Sequence, residues 1–462
     1  MYQAYIVQIN ELRKHTNADR LQIATIFGEN VIVSLDVHIG DIGIYFPIGG
    51  QLDEYYCEKN HLCRKKIDGT PDSGYLEQHQ RAIKAIRLRG EKSEGLFMPL
   101  SSLEYLGVKP GDFKIGTPIT VVNGTEICRK YIPRGSHRKG GNGQSQRSYI
   151  KKSEIAPTFY EHDETEQLAY NLNAFKFGDY IEITLKMHGT SQRTAYVPVL
   201  KQYKCRNPYY NHLIKSYLSQ KRISTFGQKR LKKAFDSAKP IYEYNYVSGT
   251  RHTVLNDWDG GFYGSNAFRK QHADFFEGKL QKGETVYYEV VGFTDTGIPI
   301  MPSASNKGLD EDFRNVYGSN TVFSYGCEDK QSDFYVYRMT IVNEDGYVVE
   351  YSPDQVRYRC NQMGCKAVPL LWRGFLFRDK AFEHTEPHNN EAGELVQKIA
   401  EEFYDGPDPV GKTHVREGVV VRIVNRPSFK AYKHKNFSFK VLSGVAIEKA
   451  DASATDDMLA EM

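Results

Sequence analysis

Tryptophan is nearly missing from the 462-residue chain: 2 residues stand against 32 tyrosines and 24 phenylalanines, a tyrosine surplus that suits surfaces stacking on planar ligands as well as strands. Cysteine is sparse too. Of the seven, only Cys57/Cys63 and Cys360/Cys365 are close in sequence, and neither pair has the two-residue spacing of a zinc knuckle, so buried or idle thiols are expected rather than a metal site. Residues 1–15 lack the basic, apolar, small-residue order of a secretory signal, which leads to an expected cytoplasmic location with reduced thiols. The sequons at Asn123 and Asn436 then carry no glycan. No apolar run reaches 18 residues, so no membrane span is predicted, and no internal repeat is visible. An excess of one charge is absent as well. With 61 basic against 57 acidic residues the net charge is only +4, so affinity for nucleic acid has to come from local patches.

What is present is a globular composition, 40% hydrophobic and 26% charged, in a chain long enough for two or three domains of about 150 residues. Residues 4–9, 21–27, 31–35 and 43–46 are short apolar alternations broken by turn residues, and they predict a small β-barrel domain over 1–126. A helix is expected near 76–86, followed by a basic strand through Ile86, Arg87, Leu88 and Arg89. The stretch 127–154 reads as a flexible basic linker around Lys139-Gly-Gly-Asn-Gly-Gln. Between 127 and 153 it holds eight lysines or arginines and no acid. A second domain is expected over 155–449, alternating strands with helical pieces and including a helix over 391–403, and the acidic tail 450–462 is expected to be mobile. Within that domain, residues 201–239 carry eleven basic residues and a single acid, Asp236. Such a run is either a solvated face or a contact for a phosphate backbone, and the second reading is favoured.

Gly406-Pro-Asp-Pro-Val-Gly-Lys-Thr413 fits the phosphate-loop expression letter for letter, but Pro407 and Pro409 have no N–H to offer a phosphate. Its flanks are reversed as well, with a helical stretch before and a strand after, so the match is accidental. Tyr180-Ile-Glu-Ile-Thr-Leu-Lys-Met-His-Gly-Thr190 is more informative. Period two sets Ile181, Ile183 and Leu185 on one face, then a lysine meets a turn whose glycine lets the backbone approach a ligand. Glu289 and Glu417 are carboxylates flanked by Val and Gly, where a buried acid requires a cation, a metal or donors. Lys433 and Lys435, two apart, share a strand face on which like charges repel unless an anion sits between them.

Taken in order, Lys186-x-His-Gly-Thr, Glu289-x-x-Gly, Phe334-Tyr-Val-Tyr337, Glu417-Gly-x-Val-x-Arg422 and Lys433-x-Lys435 resemble motifs I, III, IIIa, IV and V of the covalent nucleotidyltransferases. His188, Pro369-Leu-Leu371 and the Lys-x-Lys-Asn ending at Asn436 are similar to the ATP-dependent RNA ligases of the RNA-editing and phage type. Thr16-Asn-Ala-Asp-Arg-Leu21, Gly40-Asp-Ile-Gly-Ile-Tyr-Phe46 and Leu88-Arg-Gly-Glu-Lys-Ser-Glu-Gly95 resemble the N-terminal OB-type domain of one subfamily. So does His162-Asp-Glu-Thr-Glu-Gln-Leu168 just ahead of motif I. The chain departs from the pattern at Tyr337 and Arg338, where Phe followed by Asp is usual.

The resemblance implies an α+β protein, with an OB-type barrel followed by an adenylyltransferase domain of antiparallel sheets flanked by helices. It implies attack by Lys186 on ATP to form lysyl-AMP, transfer of AMP to an RNA 5′-phosphate, and joining to a 3′-hydroxyl at RNA ends or in a nicked duplex containing RNA. It assigns Lys433 and Lys435 to the α-phosphate, Glu417 to a metal, Glu289 to the ribose or metal, Tyr337 to adenine, and Glu182 and Arg251 to nucleotide or ribose. Mg²⁺ is the expected ion, with Mn²⁺ able to substitute. An ordinary lysine amine of pKa about 10.4 is neutral in only about one molecule in 2,500 at pH 7, so neighbouring cations have a part in making it nucleophilic. The rival readings are a DNA ligase or capping-type nucleotidyltransferase, and a catalytically silent RNA-binding protein.

Overall fold

The computed structural model describes residues 2–65, 69–72, 74–132, 152–219, 223–255, 258, 263, 265–343, 345–378 and 390–449. Most of the expected basic linker and all of the expected acidic tail lie outside the described residues.

Near the N-terminus the apolar alternations become strands Ala4–Gln8, Leu21–Ile26, Glu29–Ser34 and Ile42–Phe46. Ala4–Gln8 and Ile42–Phe46 pair antiparallel at the centre of a four-stranded sheet edged by Pro118–Ile119 and Leu96–Pro99. Leu12–Lys14, Leu21–Ile26 and Glu29–Ser34 form a separate antiparallel meander. The pairings among the described residues do not close into a barrel. Ile6, Ile44, Phe46, Leu52, Tyr56 and Leu103 are buried together beneath the four-stranded sheet.

No helix forms over 76–86. The Glu77 carboxylate takes the backbone N–H groups of His79 and Gln80 in a single turn, and Arg81 then turns left-handed at φ 48°. Ile83 exchanges backbone hydrogen bonds with Gly49 and Gly50, so pairing with a neighbouring segment outcompetes local helix propensity. The basic strand follows as Ala85–Leu88, and a short helix forms instead at Glu54–Lys59, capped by the Asp53 carboxylate.

The rest of the chain is built on two sheets, which makes the molecule a mixed α+β protein of largely antiparallel sheets and helices. The first has the order Glu166–Gln167, Lys430–Lys435, Gly418–Ile423, Tyr180–Leu185, Leu370–Phe375. The second runs Lys239–Gly249, Thr190–Lys204, Glu284–Gly292, Ser332–Val342, Val348–Glu350, with Lys366–Ala367 also paired to Ser332–Val342. Ile181, Ile183 and Leu185 are buried, as the period-two pattern requires, but the opposite face is not solvent: Glu182 is only 3% exposed. The expected helix over 391–403 is Glu391–Glu401 and packs Val396 and Ala400 against this first sheet. A four-residue turn, 186–189, joins the two sheets, and Gly189 is required there because a Cβ would collide with the Val290 carbonyl oxygen. Among the described residues no helix is long and apolar enough to cross a membrane.

Candidate active site

Strand register alone gathers four of the expected residues. Leu185 sits opposite Val419, the Lys186 N–H donates to the Gly418 carbonyl at 3.0 Å, and Gly418 and Val420 sit opposite Lys435 and Lys433. Residues 186, 417, 433 and 435 therefore meet at one end of three adjacent strands. Gly418 has φ 148°, and a Cβ there would collide with the His434 carbonyl oxygen, so glycine lets Lys430–Lys435 close against the strand that follows Glu417.

Glu417, 1% exposed, is the hub. Its Oε1 lies 2.8 Å from Lys186 Nζ and 2.9 Å from Lys435 Nζ, and its Oε2 lies 3.4 Å from His188 Nδ1. These are ion-pair distances, yet neither carboxylate oxygen receives a well-aligned hydrogen bond. Burial works against ionisation of Glu417, but the Lys186 and Lys435 ammonium groups outweigh it and hold the carboxyl well below the usual carboxylate range. Burial pushes Lys435 down, and it pushes Lys433 down to about 7, helped by repulsion from Lys435 and Lys186. The His188 ring stands edge-on to Phe323 and Phe439, at 4.6 and 4.7 Å between centroids, and burial keeps it neutral-leaning despite Glu417.

The second sheet supplies the facing wall. Glu289, opposite Ser191, accepts the Gly189 N–H at 3.2 Å. The Glu284–Gly292 and Ser332–Val342 strands shift register at Tyr287/Tyr288, so Val336 and Arg338 have partners while Tyr337 has none. This bulge re-aims the ring of Tyr337, which shares a 3.0 Å hydrogen bond with Ser191 Oγ and takes His162 edge-on at 5.0 Å. The hydroxyl that distinguishes Tyr337 from the usual Phe thus has a partner. Arg338 points elsewhere, binding Glu350 through Nε at 3.0 Å and His162 Nδ1 through Nη1 at 3.1 Å.

A cavity of about 840 Å³ opens between these walls, lined by Glu182, Lys186, Arg251, Glu289, Tyr337, Lys433 and Lys435. Tyr2, Tyr5, Pro47 and Lys130 line its other side, so the N-terminal region forms part of the same chamber. Glu417 lies behind the two lysines. Glu182 reaches the cavity with its charge already engaged, because Arg357 Nη1 and Nη2 grip its two oxygens at 2.8 Å each. Arg357 and Ser191 were not singled out from the sequence, and His162 was noted only as the start of the stretch ahead of motif I. Only the rule that a buried strand carboxylate needs a cation hinted at the first.

The phosphate-loop look-alike is a loop whose amides are taken: the buried Asp408 carboxylate accepts the N–H groups of Val410, Gly411 and Lys412. Among the described residues no three His, Cys, Asp or Glu side chains cluster as a metal cage. Glu417, with its poorly aligned oxygens, and Glu289 do fit a hard cation that draws its remaining ligands from phosphate and water.

Residues 179–442 match the family model described as RNA ligase. Among solved structures, the chain is similar to the Naegleria gruberi RNA ligase. A lysine-to-methionine mutant of that protein with AMP and Mn is 15% identical, with 97% of this chain and 99% of that chain covered at a TM-score of 0.51. A lysine-to-alanine mutant with ATP and Mn is 15% identical, with 95% and 98% covered, also at 0.51. At that identity the likeness speaks for the fold. No curated protein matches the chain.

Proposed function

The chain belongs to the RNA ligase family, and from that premise we propose that it joins RNA through a lysyl-AMP intermediate made from ATP at the cavity above. Lys186 Nζ attacks the α-phosphorus, the new P–N bond replaces the bond to pyrophosphate, and the ammonium proton leaves. AMP then passes to an RNA 5′-phosphate, and a 3′-hydroxyl displaces it to form the phosphodiester, at RNA ends or at a nick in a duplex containing RNA. Lys433 and Lys435 hold the α-phosphate, Tyr337 stacks on adenine, and Glu289, Glu182 and Arg251 contact the nucleotide, Glu182 while braced by Arg357. Glu417 and Glu289 would hold Mg²⁺ or Mn²⁺, which would supply charge neutralisation at the phosphates. The Naegleria gruberi structures with ATP or AMP and Mn support that choice of nucleotide and ion.

We assign residues 155–449 to the adenylyltransferase domain and residues 1–126 to an OB-type domain, with 127–154 as a linker, in line with the strands and shared chamber described above. The observation that carries the reading is the convergence of Lys186 and Lys435 on one buried carboxylate beside Lys433 in a nucleotide-sized cavity. The test is incubation with Mg²⁺ and α-labelled ATP, which is expected to leave label on the protein that is stable to alkali and released by acid, as a P–N bond requires, and none on Lys186→Ala. Labelling by GTP in place of ATP would move the protein to capping chemistry, and no label from either would leave an RNA-binding protein without this reaction.

A further inference from the structure

The described residues of the basic 201–239 stretch, 201–219 and 223–239, fold as an arm. Strand Thr190–Lys204 pairs with Glu284–Gly292 only over 190–195, while its pairing with Lys239–Gly249 runs on to Lys204 opposite Lys239. Residues 196–204 and 239–246 therefore continue as a two-stranded ribbon past the sheet, for ~30 Å at about 3.3 Å per residue. Helices Pro208–Leu218 and Thr225–Ser237 close its far end around Tyr203, Cys205, Ile214 and Ala234, a core separate from the one beneath the cavity.

The second of these helices is two-faced. Gly227, Leu231 and Ala234 are buried, and the opposite face presents Lys229, Lys232 and Lys233 to solvent. Lys215, Lys204 and Lys239 are exposed nearby. None of these six is ion-paired to a described carboxylate, and none lines the cavity. Asp236 is the one acid on this helix, against Lys229, Arg230, Lys232 and Lys233, so its exposed residues carry a clear excess of positive charge.

We propose that the arm is a second RNA contact that grips the phosphate backbone away from the break, a reading that rests on the ligase assignment. Thirteen residues of extended strand separate Ser191 at the cavity from Lys204 at the base of the helices, on the order of 40 Å. That length exceeds one helical turn of an A-form RNA duplex. The arm therefore engages long RNA and leaves short RNA untouched.

The test compares the full-length protein with a Lys229→Ala/Lys232→Ala/Lys233→Ala variant, in which alanine preserves the helix. Binding is measured over a salt series to a centrally nicked duplex of about thirty base pairs, to one of about ten, and to a single strand as long as the first. The expected result is at least a tenfold loss on the long duplex at low salt, with the slope of log K against log salt falling by about 2 to 3, and no change on the short duplex. Restored binding in Lys229→Arg/Lys232→Arg/Lys233→Arg, and unchanged lysyl-AMP formation in both variants, complete the expectation. Loss on the long single strand alone would put the contact on a single-stranded flank of the RNA. An unchanged slope on both long RNAs, or equal loss on the short duplex, overturns the arm. Absence of label on the unmodified protein overturns the ligase reading instead.

Discussion

Two buried lysine–glutamate clusters in this molecule are made of the same side chains and do different things. At Lys440, on helix Phe437–Lys449, one ammonium meets two carboxylates: Nζ donates to Glu29 at 2.6 Å and to Glu94 at 2.8 Å, and Glu29 also accepts from the Tyr45 hydroxyl at 2.7 Å. Burial opposes the Lys440 charge, but the two carboxylates outweigh it and push the amine above its usual range. The cluster is well aligned and its charge is matched even though Glu29 and Lys440 reach the wall of the same cavity, and it joins the N-terminal strands Glu29–Ser34 and Glu91–Glu94 to the last described helix. At Glu417 the count is inverted, one carboxylate for two ammonium groups with Lys433 close by, and the alignment is poor. A surplus of positive charge is left facing an open chamber. The count and alignment of charge, rather than the residue types, separate a joint from an anion site.

The largest effect that would break this contrast is at Lys186. Lys186→Ala is expected to reduce lysyl-AMP formation at least about a thousandfold, with the thermal midpoint moved by no more than a few degrees, measured by labelling and calorimetry on the same sample. Lys440→Met is expected to behave oppositely. Leaving Glu29 and Glu94 buried without their cation costs about 3–5 kcal/mol of stability in urea unfolding, while labelling per folded molecule falls less than tenfold. An exchange of these two phenotypes would mean the clusters have been assigned the wrong way round.

The contrast is sharpened by pH. Lys433 in the empty protein sheds its proton as pH rises through about 7, because burial and its two lysine neighbours disfavour the ammonium. Phosphate favours the ammonium form, so ATP affinity is expected to weaken above pH 7, by up to about tenfold per unit, with a proton taken up on binding. Titration calorimetry in buffers of different ionisation enthalpy reads that proton, and Lys433→Arg should abolish it. The smallest effect is expected at Arg357→Ala, which strips Glu182 of its paired donors and should cost about 1–3 kcal/mol in the same urea assay.

The sequence carried the local half of this site. Alternation placed Lys186 at a strand end, the two-residue spacing put Lys433 and Lys435 on one face, and the missing N–H groups of Pro407 and Pro409 were enough to discard the phosphate loop. The motif resemblance joined Lys186, Glu417, Lys433 and Lys435 across distant segments, but pairings outside those motifs were not legible. Arg357 grips Glu182 from 175 residues away, and Lys440 reaches Glu29 across 411. Neither partner has a local signature, since any arginine or lysine could have served. The helix expected over 76–86 failed for the same reason, because pairing to Gly49 and Gly50 is invisible in the composition of the segment itself. The arm was half visible: its charge stood out, but its projection depends on where pairing to Glu284–Gly292 stops.

Mapping the adduct by peptide mass spectrometry after incubation with ATP and Mg²⁺ tests the Glu417 cluster most directly. AMP is expected on the peptide containing Lys186 alone, with Lys433 and Lys435 unmodified. An adduct on either of those two lysines, or on a residue outside the chamber, would contradict the account.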